Sequence, residues 1–360
     1  MVLFRDTYAV INLDDIAQNV ETMYRKVNKP MMAIIKANAY GHGYNQVASV
    51  IKDSDMIAAF GVATLKEAID LRLAGVEKDI LVLGAIPLED LNMVVEYDIS
   101  LTLYSKEYLQ EIIYLYHHTK PVKVHIKVDT GMNRLGFKSK EEFEDVLSMC
   151  PKHIFKVEGV FTHFATADEP ALKDEYLKQL ERFKEIIKDR DFKYIHAQNS
   201  ASMMYQDATP TNLSRIGIAM YGVDPAGNEC DELKQAMSLY TKIAYIKKVK
   251  KGEYIGYGYT YQADEDQYIA TLPIGYADGL VRLNQGRHVY INGKEYPIVG
   301  RVCMDQTMVR VDETVKTHDL VEIFGEHITL ARMARELHTI PYEVMCLVSE
   351  RVEKRYISSK

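Results

Sequence analysis

The chain has 360 residues, too many for one ordinary domain and enough for a (β/α)8 barrel of about 250 residues plus a second domain. Hydrophobic residues make up 47% of it and charged residues 26%, values typical of a globular chain with a large core. The net charge of −7, spread over mixed signs, excludes nucleic acid as the main partner, because phosphate backbones attract basic patches.

The first ten residues, MVLFRDTYAV, do not have the layout of a signal peptide. No segment reaches the roughly 18 continuous apolar residues that a membrane span requires. The cysteines are scattered and form no CxxC pair: Cys150, Cys230, Cys303 and Cys346. We therefore expect reduced thiols, a cytoplasmic location and no membrane partner.

From Met31 onward, short apolar runs alternate with helical patterns. Strands are predicted at Met31–Lys36, Met56–Val62, Asp79–Leu83, Ile99–Leu103, Val122–Val128, Phe155–His163, Lys193–Ala197 and Leu213–Ala219. Helices are predicted between most of them, for example at Thr64–Ala74, Leu88–Glu96 and Lys173–Lys188. The alternation is typical of parallel βαβ units, and eight such units close a (β/α)8 barrel. The sequence thus predicts an α/β fold with a TIM-type barrel over residues 12–230.

After about Asp231 the predicted strands become alternating and closely spaced. They lie at Ser238–Val249, Gln267–Leu272, His288–Ile291, Tyr296–Val302, Met308–Val311 and Leu320–Ile323, with one helix at Leu330–Leu337. Asn292–Gly293 between two of these runs is a hairpin signal. We expect residues 231–360 to form a mainly antiparallel β domain, joined by an N-terminal strand from residues 1–11 whose apolar pattern covers Tyr8–Leu13.

Polar residues lie at or near the ends of the predicted barrel strands, where barrel enzymes carry their chemistry, and Arg215 lies within the eighth strand. In chain order these residues are Lys36, Arg134, His163, His196, Asn199, Ser200 and Arg215. A lysine at a strand end ordinarily extends into solvent. Here Gly41 and Gly43 open space nearby, and an apolar strand end favours the neutral amine that condenses with an aldehyde cofactor.

Several longer motifs resemble those of the alanine racemase family. AIIKANAYGHG, residues 33–43, looks like the motif around the cofactor lysine of that family. Further matches follow in order at residues 129–136 (DTGMNRLG), 161–168 (FTHFATAD), 215–222 (RIGIAMYG), 273–279 (PIGYADG) and 300–306 (GRVCMDQ). The resemblance runs nearly end to end. It implies a barrel with a C-terminal β domain, a homodimer, pyridoxal 5'-phosphate as cofactor, and interconversion of L- and D-alanine.

The resemblance implies that Lys36 carries the cofactor as a Schiff base and acts as one of two catalytic bases. Tyr257, within Gly256–Gly258, matches the second acid/base residue, which the other subunit supplies. Racemisation removes a proton from one face of Cα and returns one on the other face. Two bases on opposite sides of the substrate meet that requirement.

Arg215 matches the arginine that faces the pyridine nitrogen of the cofactor. An arginine keeps its protons, so it leaves the ring nitrogen unprotonated and less electron-withdrawing, which disfavours decarboxylation and transamination. His163 resembles the residue that orients this arginine. The resemblance assigns phosphate binding to Tyr40, Ser200, and the backbone N–H groups of Gly217 and Ile218.

Arg134 matches the residue that binds the substrate carboxylate, with backbone support from Met304. Lys127 matches a lysine that is carbamylated in many family members, where the carbamate would hold Arg134. Supporting residues along the access corridor to the site are Asp168, Tyr276, Arg282 and Arg301, together with Asp305 in the last motif. No metal ligand is expected.

One position departs from the family pattern Ser-Tyr-Arg-Val, because this chain has Ser349-Glu350-Arg351-Val352. A carboxylate about 4 Å from a phosphate would be repelled by about 4 kcal/mol at an effective dielectric constant near 20. Either Glu350 widens the pocket and favours serine, lysine, ornithine or arginine as substrate, or it turns away and pairs with an arginine. Both interpretations stay open.

Three other classes of protein are also considered. A barrel-type amino-acid decarboxylase would carry a glutamate at the pyridine nitrogen and a run of glycines, which Arg215 and the sequence oppose. A metal-dependent barrel hydrolase needs two close histidines in the first strand. None are there, and His117–His118 fall in a helical pattern. A non-enzymatic cofactor-binding protein would lack the second domain.

Overall fold

The computed structural model describes residues 5–188, 190–207 and 209–359. The chain divides into two compact units. The barrel unit consists of Ala17–Ala39 and Tyr44–Met220. The β unit consists of the chain up to Ile16, Tyr40–Gly43, and the chain from Tyr221 onward.

Parallel strands form one eight-stranded sheet in the barrel unit. In chain order they are β1 (Met31–Ile34), β2 (Ile57–Val62), β3 (Asp79–Val82), β4 (Ser100–Leu103), β5 (Val122–Lys127), β6 (Phe155–Phe161), β7 (Tyr194–His196) and β8 (Ser214–Ile216). Each strand pairs with its neighbour in sequence, β1 also pairs with β8, and a parallel bridge from His196 to Leu213 joins β7 to the start of β8. The predicted (β/α)8 barrel is confirmed, and every strand lies inside its predicted run.

Helices follow the strands, preceded along the chain by the helix Leu13–Val27. They span Tyr44–Ile51, Leu65–Leu73, Leu91–Glu96, Lys106–Leu115, Lys140–Ser148, Lys173–Ile187 and Ser200–Tyr205, with short 3-10 helices at Leu88–Asp90, Pro170–Leu172 and Ile218–Tyr221. Thr64, Ser105 and Ser139 cap three of these helices by accepting a backbone N–H, an interaction worth about 1 kcal/mol each. Over the described ranges, no helix is both long and apolar enough to span a bilayer.

The predicted helical placement of His117 and His118 is wrong. The helix ends at Leu115, because Tyr116 adopts an extended conformation. The Tyr116 hydroxyl donates to the carbonyls of Lys120 and His153, which holds the chain away from the helix axis.

After β1 the chain makes one turn of left-handed helix instead of continuing as a strand to Lys36. The four residues Ala37–Tyr40 have φ values of 51°, 52°, 54° and 52°. Left-handed helical geometry costs L-residues roughly 1–2 kcal/mol each, so surrounding contacts must hold the turn. Glu67 Oε1 accepts the Ala37 N–H at 2.6 Å, and Glu67 Oε2 accepts the Ala63 N–H at 2.8 Å. One carboxylate therefore secures both this turn and the start of the helix Leu65–Leu73.

The β unit contains three sheets. The largest has the order Lys294–Pro297, His288–Ile291, Leu320–Phe324, Met237–Lys242, Tyr8–Asn12, Glu353–Ile357. The second has the order Tyr245–Val249, Gln267–Leu272, Thr307–Val311, and the smallest pairs Tyr254–Ile255 with Tyr261–Gln262. The short helices of the β unit span Leu330–Glu336 and Pro341–Leu347. The β unit also has 3-10 turns at Tyr257–Tyr259, Tyr276–Asp278 and Arg282–Asn284. All the strand pairs are antiparallel except that between Tyr8–Asn12 and Glu353–Ile357.

The N-terminal strand joins this β unit, as the sequence predicted. Tyr8–Asn12 pairs with Met237–Lys242 on one side and Glu353–Ile357 on the other. The part of the predicted strand at residues 1–4 lies outside the described residues. Several elements differ from the prediction. The run Ser238–Val249 is divided into two strands, and the strand predicted at Tyr296–Val302 lies at Lys294–Pro297. The pair Tyr254–Ile255 with Tyr261–Gln262 was not predicted, and the tail carries an additional helix and strand.

We expect Ala37→Gly to stabilise the protein, because glycine removes a left-handed strain of about 1–2 kcal/mol and costs about 0.5–1 kcal/mol in chain entropy. The free energy of unfolding, measured by urea denaturation, should rise by roughly 0.5–1 kcal/mol. The matched control is Ala17→Gly in the right-handed helix Leu13–Val27, which should lose about 1 kcal/mol. Equal losses in both variants would contradict the strained turn.

Candidate active site

Arg215, buried in β8, contacts five hydrogen-bond acceptors through its two Nη groups, and two of the three acceptors at Nη2 share one N–H. Its Nη1 donates to Nδ1 and to the carbonyl oxygen of His196, both at 3.1 Å. Its Nη2 donates to the carbonyls of Thr162 at 2.9 Å and Ala197 at 3.0 Å, and to Nδ1 of His163 at 3.1 Å. Among the described residues, none accepts a hydrogen bond from Nε, so Nε–H is the donor that a ligand can engage.

His163 and His196 are neutral, and each accepts a hydrogen bond from Arg215. Each accepts an N–H of the guanidinium on Nδ1, which must therefore carry a lone pair. Burial lowers the pKa of both imidazoles well below the ordinary value, and the nearby Arg215 charge lowers them further. The predicted contact of His163 with Arg215 is present, and His196 supplies a second one.

Positive charge is concentrated around Arg215. Burial lowers the pKa of Arg215 to about 9, with Arg134 adding to the effect. Burial likewise lowers the pKa of Lys127 to about 7, and the charges of Arg215 and Arg134 lower it further, while Asp129 opposes them. The Lys36 charge also acts on His163. This crowding of cations suits a site that binds anions.

Ser200 lies at the start of a helix that Asn199 caps, with Asn199 Oδ1 accepting the Ser202 N–H at 3.0 Å. Its Oγ accepts the N–H of Gly217 at 2.9 Å and that of Ala219 at 3.4 Å. The predicted donation from Gly217 N–H to phosphate is therefore not available in this arrangement, because Ser200 takes it. The Ser200 hydroxyl proton is left to donate to an anion.

The loop after β5 carries Arg134, which is exposed. Asp129 is buried and shapes the loop, because its Oδ1 accepts the N–H groups of Gly131 and Asn133, each at 3.0 Å. Lys127 lies at the end of β5, where its Nζ donates to the Val128 carbonyl at 2.9 Å. The sequence placed both cations at the same strand end.

Gln179, on the helix Lys173–Ile187, was missed by the sequence analysis. Its Nε2 donates to Thr130 Oγ1 at 3.2 Å and to the His163 carbonyl at 3.3 Å, and its Oε1 accepts the Ala165 N–H at 2.9 Å. It thus fastens the loops after β5 and β6 to each other. The sequence did contain one sign of this role: the amide Gln179 lies on the same apolar helix face as Tyr176 and Phe183.

Tyr257 projects from a tight turn of the β unit. Gly256 and Gly258 on either side have φ values of 74° and 71°, and the Tyr257 side chain is 71% exposed. A cavity of about 550 Å³ beside it is lined by Tyr257 together with Tyr276, Arg282 and Arg301. Three of the predicted corridor residues therefore share one cavity with Tyr257. The fourth, Asp168, lies partly buried in the barrel unit.

Tyr40 is buried in the β unit, with its ring centroid 4.9 Å from that of Tyr221 and 6.0 Å from that of Tyr342. Burial raises the pKa of the Tyr40 phenol well above the ordinary value. Its hydroxyl therefore stays protonated and can act as a hydrogen-bond donor.

Glu350 is exposed, and the segment around it is fixed to its neighbours. Arg351 donates to Asp305 Oδ1 at 2.8 Å, and Ser349 Oγ donates to a backbone carbonyl in the 3-10 turn Tyr276–Asp278. Burial lowers the pKa of Lys354, and the Glu350 charge partly offsets this. Among the described residues, no ion pair joins Glu350 to an arginine, and the charge of Glu350 acts on Lys354.

Met304 is 53% exposed on the neighbouring loop of the β unit. Its carbonyl accepts the Ala277 N–H at 3.0 Å, which joins the Met304 loop to the turn that carries Tyr276. The backbone of Met304 is thereby fixed beside the corridor residues.

The fold and the site define a two-domain barrel protein with a cluster of cations at the carboxyl ends of its barrel strands. Residues 11–225 match the family model described as alanine racemase, N-terminal domain, and residues 236–356 match the alanine racemase C-terminal domain. This chain belongs to the alanine racemase family.

Similar proteins of known name and structure agree. Alanine racemase 1 of Bacillus subtilis is 41% identical, with 99% of this chain and 94% of that protein covered. Alanine racemase of Streptococcus uberis is 39% identical, with 99% of both chains covered. The crystal structure of alanine racemase from E. faecalis superposes with a TM-score of 0.94 at 39% identity, covering 99% of this chain and 100% of that one.

The predicted family and fold class are confirmed by these matches. The decarboxylase and the racemase of altered specificity are not favoured, since the curated relatives carry the name alanine racemase.

Proposed function

We propose that this chain is a pyridoxal 5'-phosphate-dependent racemase that interconverts L- and D-alanine. The observation that carries the proposal is the Arg215 guanidinium, whose Nη groups are fixed by the protein and whose Nε–H is available to a ring nitrogen. The family is pyridoxal-phosphate-dependent, and a similar protein from Bacillus anthracis, with a TM-score of 0.92, was solved with bound L-Ala-P.

The residues fit this cofactor. Lys36 would hold its aldehyde covalently, and Arg215 Nε–H would donate to its ring nitrogen. Ser200 Oγ–H, the Ile218 N–H at the start of a 3-10 helix, and the neutral Tyr40 phenol would bind its phosphate. When bound, the cofactor withdraws electrons from the substrate Cα–H bond. A hydrogen bond from an arginine moderates that withdrawal, which favours exchange of the α-proton over decarboxylation and transamination.

Two side chains would move the proton. Lys36 Nζ serves one face of Cα, and the Tyr257 hydroxyl serves the opposite face, so one residue accepts a proton while the other donates one. Arg134 would bind the substrate carboxylate in a bidentate manner. Lys127, as a carbamate, would give Arg134 a negative partner in place of a second cation.

We infer that the active enzyme is a homodimer in which Tyr257 acts on the partner subunit. A proton-transfer group that is 71% exposed in one chain needs cover from water to work efficiently. Other large side chains of the β unit are also exposed: Tyr254, Tyr259, Tyr276, Leu283 and Met304. Such a set is typical of a protein interface. Within the described residues no disulfide joins the four cysteines, which supports a reducing, cytoplasmic location.

The purified protein should show a visible absorption band that borohydride abolishes and that Lys36→Ala lacks. It should also exchange the α-proton of alanine and equalise its enantiomers. Alanine should exceed serine, lysine and arginine in kcat/KM by more than about tenfold, because each extra group must fit a small pocket. Carbon dioxide release from labelled amino acid, or a preference for a cationic substrate, would contradict the proposal.

Mixing two inactive variants tests the shared site. Lys36→Ala and Tyr257→Phe each lack one base, but a mixed dimer would contain one intact site. Random exchange of subunits should restore about a quarter of wild-type activity. Two Tyr257→Phe preparations mixed with each other serve as the control. If the Lys36→Ala and Tyr257→Phe mixture stays inactive after energy transfer between differently labelled subunits has demonstrated exchange, both bases come from one chain.

Lys127 should form a carbamate above its pKa of about 7, because only the neutral amine adds carbon dioxide. With ¹³C-bicarbonate, a carbamate resonance is expected near pH 8 and should fade below about pH 6. Lys127→Ala should lack it. Lys29→Ala is the matched control, since burial also lowers the pKa of Lys29, whose Nζ donates to Thr209 and Thr211. A resonance that survives in Lys127→Ala would assign the modification elsewhere.

A further inference from the structure

A second buried histidine contacts His196 on the ring nitrogen opposite Arg215. His125, in β5, places its Nδ1 2.9 Å from His196 Nε2, and the two side chains are 1% and 0% exposed. Arg215, His196 and His125 therefore form a file of three buried polar side chains from neighbouring strands. Neither the proposed proton transfer nor the proposed cofactor contacts involve His125.

The hydrogen bonds of this file admit one arrangement of protons. A guanidinium only donates, so His196 must accept on Nδ1 and carry its proton on Nε2. That proton points at His125 Nδ1, which must in turn be an acceptor. Burial lowers the pKa of His125 to about 3 and that of His196 well below its ordinary value, so neither ring gains a second proton near neutral pH.

The barrel is built to admit the His125 ring. Gly159 lies inside strand β6, where glycine is ordinarily unfavourable, and a Cβ atom there would lie 2.6 Å from His125 Nδ1. Tyr194 stacks on His125 with ring centroids 5.5 Å apart, and its hydroxyl donates to Asp79 at 2.7 Å. An apolar side chain would fill this space without burying polar atoms. The presence of a buried imidazole here therefore indicates a role beyond packing.

We propose that His125 is a positioning residue that fixes the tautomer of His196 and, through it, the orientation of the Arg215 guanidinium. If His125 did not accept, His196 would carry a buried N–H without a partner or would shift its proton to Nδ1. A proton on His196 Nδ1 would point at the Nη1–H of Arg215, so that two hydrogen-bond donors would face each other. The inference rests on the proposed function, because it gives Arg215 the task of meeting a ring nitrogen.

The first experiment reads the tautomers in the protein without cofactor. The chain has 11 histidines, and ¹⁵N-labelling at histidine with assignment by single variants reports which ring nitrogens carry protons. We expect Nε2–H and unprotonated Nδ1 for both His125 and His196. A proton on Nδ1 of His196 in the wild type would overturn the proposal without any variant having to fold.

The second experiment compares His125→Asn with His125→Leu. Asparagine can place its carbonyl oxygen near the former Nδ1 and accept from His196, whereas leucine cannot accept. In His125→Leu we expect the His196 tautomer to change and kcat to fall by about 10- to 100-fold, with KM for alanine within about threefold. His125→Asn should restore the tautomer and most of kcat. Gly159→Ala, which displaces the ring without deleting it, should resemble the leucine variant.

Unchanged tautomer and unchanged kcat in a folded His125→Leu would show that the ring only fills space. Equal loss in the asparagine and leucine variants, with the His196 tautomer retained in both, would also overturn the proposal. Absence of racemase activity in the wild type would instead contradict the proposed function. The comparison of the His196 tautomer in the wild type and in His125→Leu would still decide whether His125 fixes His196.

Discussion

A guanidinium buried in a barrel strand is the constraint on which this structure depends. Among the described residues, no carboxylate contacts Arg215; its partners are three backbone carbonyls and two neutral imidazoles. A buried charge without a counter-ion is costly unless hydrogen bonds satisfy it and a ligand completes it. The acceptors come from the ends of β6 and β7, so the carboxyl ends of these strands must lie where they do. An anionic cofactor and substrate would supply the missing negative charge.

The barrel could be predicted because its strands bear their own signals. Eight apolar runs separated by helical patterns leave few alternatives, and each observed strand lies within its run. The Asn292–Gly293 hairpin was also readable, since both residues adopt positive φ, 47° and 89°, as such a tight turn demands. The final strand Glu353–Ile357 could not be found in this way. Its sequence EKRYI has no apolar alternation, and it is stabilised by pairing with Tyr8–Asn12, far away in the chain.

The candidate site likewise contains residues that the local sequence predicts and residues that it does not. Lys36, Arg134 and His163 were located by their position after strand ends, which depends on local sequence. The roles of Glu67, Gln179 and His125 depend on hydrogen bonds to Ala37, Ala165 and His196, which lie 30, 14 and 71 positions away, so the local sequence does not reveal these partners. The sequence also does not show which acceptor a backbone N–H will find. The Gly217 N–H was expected to donate to a phosphate, but the Ser200 hydroxyl accepts it. Gly159, a glycine inside a strand, was the local sign of the space that the His125 ring fills.

The left-handed turn after β1 has a consequence for the order of assembly. Its residues prefer other conformations, so the turn cannot form early as a local structure. It gains its support from Glu67, 30 residues further along, which is in place only after β2 and the helix Leu65–Leu73 have docked. The lysine that begins the turn therefore reaches its final geometry late in folding. In a partly folded chain, Lys36 would be an ordinary surface amine. Binding of the cofactor to Lys36 would therefore indicate that the barrel has finished folding.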